Sequence, residues 1–309
     1  MRRFRNILYH ADGPDSSARG LDRAVALART NQARLTVLDV TEPVSLGWDP
    51  QGRYGPKLTE ALVRRRLDEL EAITERYADA GIALYTRVLT GMPFIEVIGA
   101  VQRESYDLLV KTARPGLGPT GLASADMHLL RKCPCPVWVD RPDSPYPYRT
   151  LLAAVDPTHR HAAGLNRLIL DLATSLAARE GARLEVVHAW SWSGYGILCS
   201  EDIGLTQPEV DTLRRQSERG YRTALDRLLA PYGLSSADPG VHLEAGWAPA
   251  VIAKRAEETG ADLILMGTVS RVGVRGLIMG PTAEDLLRAT RGSVLAVKPE
   301  GFASPVLLP

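Results

Sequence analysis

"YRTLLAAVDPTH" at residues 148–159 repeats the plan of "FRNILYHADGPD" at residues 4–15, at an offset of 144 that sets Asp156 on Asp12. Each is a short apolar run ending in an aspartate and turn formers, the pattern of a buried strand that runs into a loop. Further matches follow in the same order. "ARLTVLDV" (33–40) matches "ARLEVVHA" (182–189), and "DLLVKT" (107–112) matches "DLILMG" (262–267). "HLLRKCPCPVWV" (128–139) matches "DLLRATRGSVLAV" (285–297), with a residue of slip. One plan therefore occurs twice, which predicts domains over 1–145 and 146–309. "RPDSPYPYR" (141–149), with three prolines, reads as the linker.

Each half reads the same way along the chain. A helix is predicted over 16–31 and 160–180, the latter with Leu165, Leu168, Ile169 and Leu172 at three- and four-residue spacing. A second strand follows (34–40; 183–189), then a long helix (58–80; 209–230), then a third strand ending at Gly91 or Gly246. A helix, a fourth strand (107–111; 262–266), a loop, another helix and a fifth strand (136–140; 293–298) complete the half. Strands alternating with helices make βαβ units and a parallel sheet covered on both faces. The run "LILM" is apolar throughout, as a doubly covered strand requires. The expected class is α/β: two tandem, doubly wound, open parallel sheets of five strands each.

Composition bounds the function. The chain has 309 residues, 45% hydrophobic and 24% charged, with 37 basic against 36 acidic side chains and a net charge of +1. That balance excludes a broad nucleic-acid surface. "MRRFRNILYH" has no apolar core of a signal peptide, and no run of about 18 apolar residues predicts a membrane span. Three cysteines are too few for a disulfide framework, so the cytoplasm is the expected compartment.

In such sheets ligands bind beyond the carboxyl ends of the strands, where the strand order switches. Asp156, Ala189 and the loop after Met266 all fall at those ends. Gly267 follows the fourth strand directly. Gly280 precedes "PTAEDLLRA", a helix with Pro281 at its first position and Glu284 and Asp285 in its first turn. A helix N-terminus offers unpaired N–H groups and partial positive charge to an anion, and Arg271 and Arg275 lie in the loop. No Gly-Lys-Ser/Thr ends the loop, so it is not a Walker loop. The residues alone leave two readings open, an anion cradle and a glycine-rich connection that binds nothing.

With these residues in view, the chain resembles a tandem universal stress protein over nearly its whole length. "MGTVSR", "GPTAEDLLR" and above all "MHLLRKCPCPVWV" are similar to the E-type tandem subgroup. The resemblance implies a Rossmann-like fold, a stress-response role and an adenine nucleotide, ATP, in the crevice. It implies no metal beyond magnesium carried by the nucleotide. Asp156 would meet the ribose or adenine side, and Ala189 would offer backbone to adenine. Met266, Gly267, Val269 and Ser270 would line the turn, and Gly280, Pro281 and Thr282 would face the phosphates. Nucleotide binders of the family carry Gly-x2-Gly-x9-Gly-Ser/Thr; here the second half reads Gly267-x2-Ser270-x9-Gly280-Pro281. Pro281 removes an N–H and a hydroxyl, and Thr282 can supply both one position later. Ser270 replaces glycine only where the backbone tolerates a Cβ. Each lost hydrogen bond to a charged phosphate costs about 1.5–3 kcal/mol, one or more tenfold steps in affinity. The first half has Thr112 in place of Gly267, and "KTARPGLGPTGLASADMHLL" holds no phosphate motif, so nucleotide is expected in the second half only. The family pairs through its fifth strand, which implies pairing of the two halves within the chain and allows a further dimer of chains.

Other candidates read more plainly. His128, Cys133 and Cys135 are zinc-ligand types close in sequence, but "CPCP" lacks the Cys-x2-Cys spacing, and packing is their expected role. His188, inside the second strand, is expected to be a hydrogen-bonded structural histidine. "HRH" (159–161) reads as a solvated helix start, and "RRRLDELE" (64–71) as a solvated helix face. "WSWSGYG" (190–196) reads equally as a lid or as cover for a sheet edge. No Ser-His-Asp set or poised base is visible, so hydrolysis is expected to be slow at most. Two other classes stay open. One is a binding or scaffold module for a non-nucleotide small molecule, an apolar ligand or a protein, which Ser270 and Pro281 favour. The other is a nucleotidyl transferase or ATP pyrophosphatase, against which the strand ends "HADGPD" and "AVDPTH" stand.

Overall fold

A computed structural model describes residues 4–13, 18–46, 53–113, 124–158, 163–191, 205–268, 281–290 and 292–307. The chain forms two compact units. One is built mainly from Met1–Ser144 with Ser293–Pro309, the other from Pro145–Gly273 with Gly280–Gly292.

The first unit runs β1 (Asn6–His10), α1 (Ala18–Asn31), β2 (Arg34–Thr41), α2 (Gly55–Glu75), β3 (Leu84–Thr90), α3 (Pro93–Glu104), β4 (Leu108–Thr112), α4 (Ser124–Lys132) and β5 (Val137–Asp140). Its strands lie in the order β3-β2-β1-β4-β5, each parallel to its neighbours. The order reverses between β1 and β4, which makes that junction the switch point. Ile7, Leu8, Leu108 and Leu109 are wholly buried there, as strands covered on both faces demand. α3 begins with proline in its first turn, carries Arg103 in its last turn and ends at Ser105 in the left-handed conformation.

The last strand of the chain, β10 (Ser293–Val297), pairs antiparallel with β5, setting Val294 on Val139, Leu295 on Trp138 and Ala296 on Val137. That pairing is why residues 293–309 belong with the first unit, across the boundary that the repeat suggests. It also leaves β5 flanked on both sides, where the strand order alone predicts an edge. The seam is polar at one end. The Arg141 N–H donates to Ser293 Oγ at 2.9 Å, Ser293 Oγ donates to Asp140 Oδ1 at 3.2 Å, and the Arg23 guanidinium lies 3.2 Å from Asp140. The proline-rich linker is anchored at both ends, since Ser144 and Tyr148 are buried.

The second unit repeats the plan: β6 (Thr150–Ala154), α5 (Ala163–Glu180), β7 (Arg183–Trp190), α6 (Gln207–Leu229), β8 (Val241–Ala245), α7 (Ala248–Thr259), β9 (Leu263–Gly267) and α8 (Pro281–Ala289). Its strands lie in the order β9-β6-β7-β8, all parallel. α6 opens with a capping box, in which Thr206 and Glu209 satisfy each other's backbone N–H. Its buried residues Val210, Leu225 and Leu229 recur at the spacing of Gly55, Leu70 and Thr74 in α2.

Element boundaries differ from the sequence expectation in identifiable ways. α2 starts earlier, at Gly55, with proline in its first turn. It stops at Glu75 because the N–H groups of Tyr77, Ala78 and Ala80 bond to carbonyls three residues back, which tightens the chain into turns. The third strands stop one residue short of Gly91 and Gly246. Among the described residues no helix is long and apolar enough to cross a membrane.

Candidate functional site

In the second unit the candidate crevice lies at the carboxyl ends of β6, β7 and β9. Ala153 pairs with Leu265 and Ala154 with Val187, so this register brings Asp156, Ala189, Met266 and Gly267 to the same end of the sheet. Asn166 of α5 clamps the backbone of Asp156, accepting its N–H at 3.0 Å and donating to its carbonyl at 2.7 Å. The Asp156 carboxylate accepts the Thr158 hydroxyl at 2.8 Å and the Thr158 N–H at 3.3 Å. The aspartate is therefore fixed at the strand end by its own turn. Ala189 and Met266 are buried. His188 is also buried, and its Nδ1 donates to the Val155 carbonyl at 3.0 Å. Tyr221 of α6 lies beside it, 5.7 Å from the His188 ring and stacked 5.1 Å from Trp190. Pro281 and Thr282 open α8. Val269, Ser270, Gly280, Arg271, Arg275, "HRH" and the segment of "WSWSGYG" after Ser191 lie outside the described residues.

The first unit fills the same place with charge. Lys111, wholly buried near the end of β4, lies 2.7 Å from Asp12 and also pairs with Asp126 at the start of α4. Arg66 of α2 turns inward and pairs with Asp39 of β2. The same guanidinium donates to the carbonyls of Gly13 at 2.6 Å and Ala11 at 3.4 Å. Burial pushes the Asp39 carboxyl up, against the pull of Arg66. The Thr112 hydroxyl lies 3.1 Å from the Tyr9 hydroxyl, which burial pushes up to about 12.

Matching the repeats element by element gives the contrast. Asp12 corresponds to Asp156, Asp39 to His188, Arg66 to Tyr221, Lys111 to Met266, Thr112 to Gly267 and Asp126 to Ala283. The aspartate after the first strand is kept, while the other charged positions become His188, Tyr221, Met266 and Ala283. A ligand entering the first crevice would have to break buried ion pairs, at about 3–5 kcal/mol for a stranded partner. At the corresponding positions the second crevice presents Gly267, the apolar or small side chains of Met266 and Ala283, and His188 beside Tyr221, which stacks on Trp190.

A packing exchange accompanies it. A Cβ on Gly20 of α1 would sit 1.8 Å from Thr112 Oγ1, and a Cβ on Gly267 would sit 2.7 Å from Leu165 Cδ2 of α5. In the first unit the helix carries the glycine and the strand end the side chain; in the second the roles are reversed. Gly267 therefore allows both close helix approach and, at a strand end, close ligand approach.

Lys111 and Arg66 escape the sequence reading. "RRRLDELE" divides: Arg64 and Arg65 are exposed and pair along the helix with Glu60 and Glu69, while Arg66 is buried. Lys111 had a visible signal, a lone cation in "DLLVKT" opposite the uncharged "DLILMG". Cys133 and Cys135 are buried free thiols, and His128 stacks on Phe94 with ring centroids 4.3 Å apart. Partial burial, then the charges of Lys132 and Arg131, lower the His128 pKa. Among the described residues no three His, Cys, Asp or Glu side chains gather as metal ligands.

The chain has extensive relatives. The universal stress protein family model matches residues 3–141 and 147–298. Universal stress protein E of Escherichia coli is 26% identical over 100% of this chain and 98% of its own length. The universal stress protein E homolog of Haemophilus influenzae is 25% identical over 96% and 98%. A crystal structure from Pseudomonas aeruginosa superposes with a TM-score of 0.75 at 24% identity, covering 97% of this chain and 95% of that one. A universal stress protein from Archaeoglobus fulgidus does so with a TM-score of 0.61 at 20% identity, covering 94% and 96%. These two structures share the fold. With one βαβ plan used twice and a family match on each copy, the chain belongs to the universal stress protein family.

Proposed function

We propose that this chain is a stress-response regulatory protein that binds one adenine nucleotide, ATP, in its second unit. Hydrolysis is slow at most, and the protein acts in the cytoplasm. Family membership supports the stress-response role. The observation that carries the nucleotide reading is the contrast between crevices: Lys111, Arg66, Asp39 and Asp126 fill the first, and Met266, Tyr221, His188 and Ala283 stand at those places in the second. In this reading Asp156, held by Asn166 and Thr158, faces the ribose side, and Ala189 backbone faces adenine. The start of α8 faces the phosphates, with Thr282 supplying the N–H that Pro281 lacks. By the family motif Val269, Ser270 and Gly280 would contact the nucleotide as well, and magnesium arrives with it.

By the family motif Gly280→Asp puts a carboxylate at the phosphate end of the proposed site. A Cβ on Gly267 meets Leu165, so Gly267→Asp reports on the site only in a chain whose circular dichroism shows it folded. Calorimetric titration with ATP should show binding lost in both variants while the circular dichroism spectrum persists. Unchanged affinity in both sinks the proposal. A second reading, a binding module for an apolar ligand, is favoured by the buried Met266 and Ala283 and by the Trp190–Tyr221 stack. Heat with an apolar probe and none with ATP would select it.

A further inference from the structure

After α4, "KCPCPV" (132–137) sets Cys133 and Cys135 on either side of Pro134, and the nucleotide reading makes no use of them. Both thiols are free and buried, at 0% and 7% exposure, and their Sγ atoms are 3.5 Å apart. They lie before β5, which begins at Val137, so the strand rule that sends alternate side chains to opposite faces does not separate them. A third group joins them. Lys298, just past β10, is buried, and its Nζ donates to the carbonyls of Leu130 and Arg131 at the end of α4. The Phe302 ring covers it at 5.0 Å.

Packing as small apolar groups would explain buried cysteines alone. Lys298, which also caps the end of α4, adds a positive charge that acts on Cys133. The charge distinguishes the two sulfurs. Burial opposes a thiolate at both. At Cys133 the hydrogen bonds from the Cys135 side chain and backbone, with the Lys298 charge, outweigh burial and hold that thiol below its ordinary value. Burial and the neighbouring Cys133 push the Cys135 thiol well up. One sulfur is thus suited to attack and the other to keep its proton until it is needed.

We propose that Cys133 and Cys135 form an oxidant-reactive dithiol, which a small hydroperoxide converts to a Cys133–Cys135 disulfide. The Cys133 thiolate attacks one peroxide oxygen, and the O–O bond breaks to leave a sulfenic acid on Cys133 and a hydroxide. Cys135 then attacks that sulfur, the S–O bond breaks, and the second hydroxide leaves. Both hydroxides take up the two thiol protons. Two thiols and one hydrogen peroxide become one disulfide and two waters; the sulfurs lose two electrons and the peroxide gains them. Bond formation brings the sulfurs from 3.5 Å to about 2.05 Å.

The test uses the full folded chain as Cys199→Ser, in which Cys133 and Cys135 are the remaining cysteines. After hydrogen peroxide, denaturation and alkylation, the intact mass should lack both alkyl groups and two hydrogens, and dithiothreitol should restore both alkylation sites. With Cys135→Ser added, the reaction should stop at a sulfenic acid on Cys133 that dimedone traps. Two alkylated cysteines after peroxide, or sulfinic acid without a bridge, would overturn the proposal. So would a bridge from either sulfur to Cys199 in the unsubstituted chain. The first measurement decides the matter even if the Cys135→Ser chain does not fold.

Discussion

Lys111 marks the difference between the repeats most sharply, because it is a wholly buried cation held by Asp12 and Asp126. Lys111→Met strands both carboxylates and should cost about 3–5 kcal/mol in urea denaturation. Lys111→Met with Asp126→Ala installs the residues of the second repeat and should recover most of that loss; equal losses would show that the cluster is not coupled. Gly20→Ala drives a methyl into the Thr112 hydroxyl 1.8 Å away and should cost about 1–3 kcal/mol, largely relieved by Thr112→Gly. An additive pair would contradict the packing exchange. Lys298 supplies a pH signature, since burial lowers it from 10.5 to about 8. Between those values the unfolded chain holds a proton that the folded chain lacks, so this contribution to stability rises with pH and is lost as pH falls through about 8. Lys298→Met should flatten that rise, and parallel denaturation profiles for the two proteins would contradict it. At this scale the sequence shows Asp156 and Gly267 plainly, because the repeat aligns each with a counterpart at a strand end. It hides Arg66, because a long cationic side chain beside Arg64 and Arg65 looks the same whether it folds outward or inward.

At the scale of elements, order and type were legible in hydrophobic period and in the repeat itself. The partner of β10 was less so, because a strand's periodicity names its faces and not its neighbours. The register of Val294, Leu295 and Ala296 on β5 places the C-terminal segment with the first unit. Leu295→Pro removes a backbone N–H inside β10 and a buried side chain from the core. The loss should be about 2–4 kcal/mol, from the proline ring within a strand and the cavity. A denaturation midpoint like that of the parent chain would show that the seam contributes little. The ends of α2 differ from expectation for a local reason: i−3 hydrogen bonds close its last turns, which hydrophobic spacing does not report.

At the scale of the whole molecule, two copies of one fold differ at the carboxyl ends of their strands. The first fills its strand ends with internal ion pairs and takes up the last strand of the chain; among the described residues the second sets Met266, Ala283, His188 and Tyr221 at those places, with a fixed aspartate and a glycine. Duplication made the fold readable, and divergence made the site hard to read, because departures such as Ser270 and Pro281 weaken a motif without saying what the rest of the crevice does. The central claim is that one unit of two holds adenine nucleotide. Its most direct test is mass spectrometry of small molecules released from the purified, heat-denatured chain, followed by ATP titration of the stripped and refolded protein. One ATP or ADP per chain, rebinding at the same stoichiometry, is the predicted result. A folded chain that releases no nucleotide and gives no heat with ATP, or one that takes two, would contradict it.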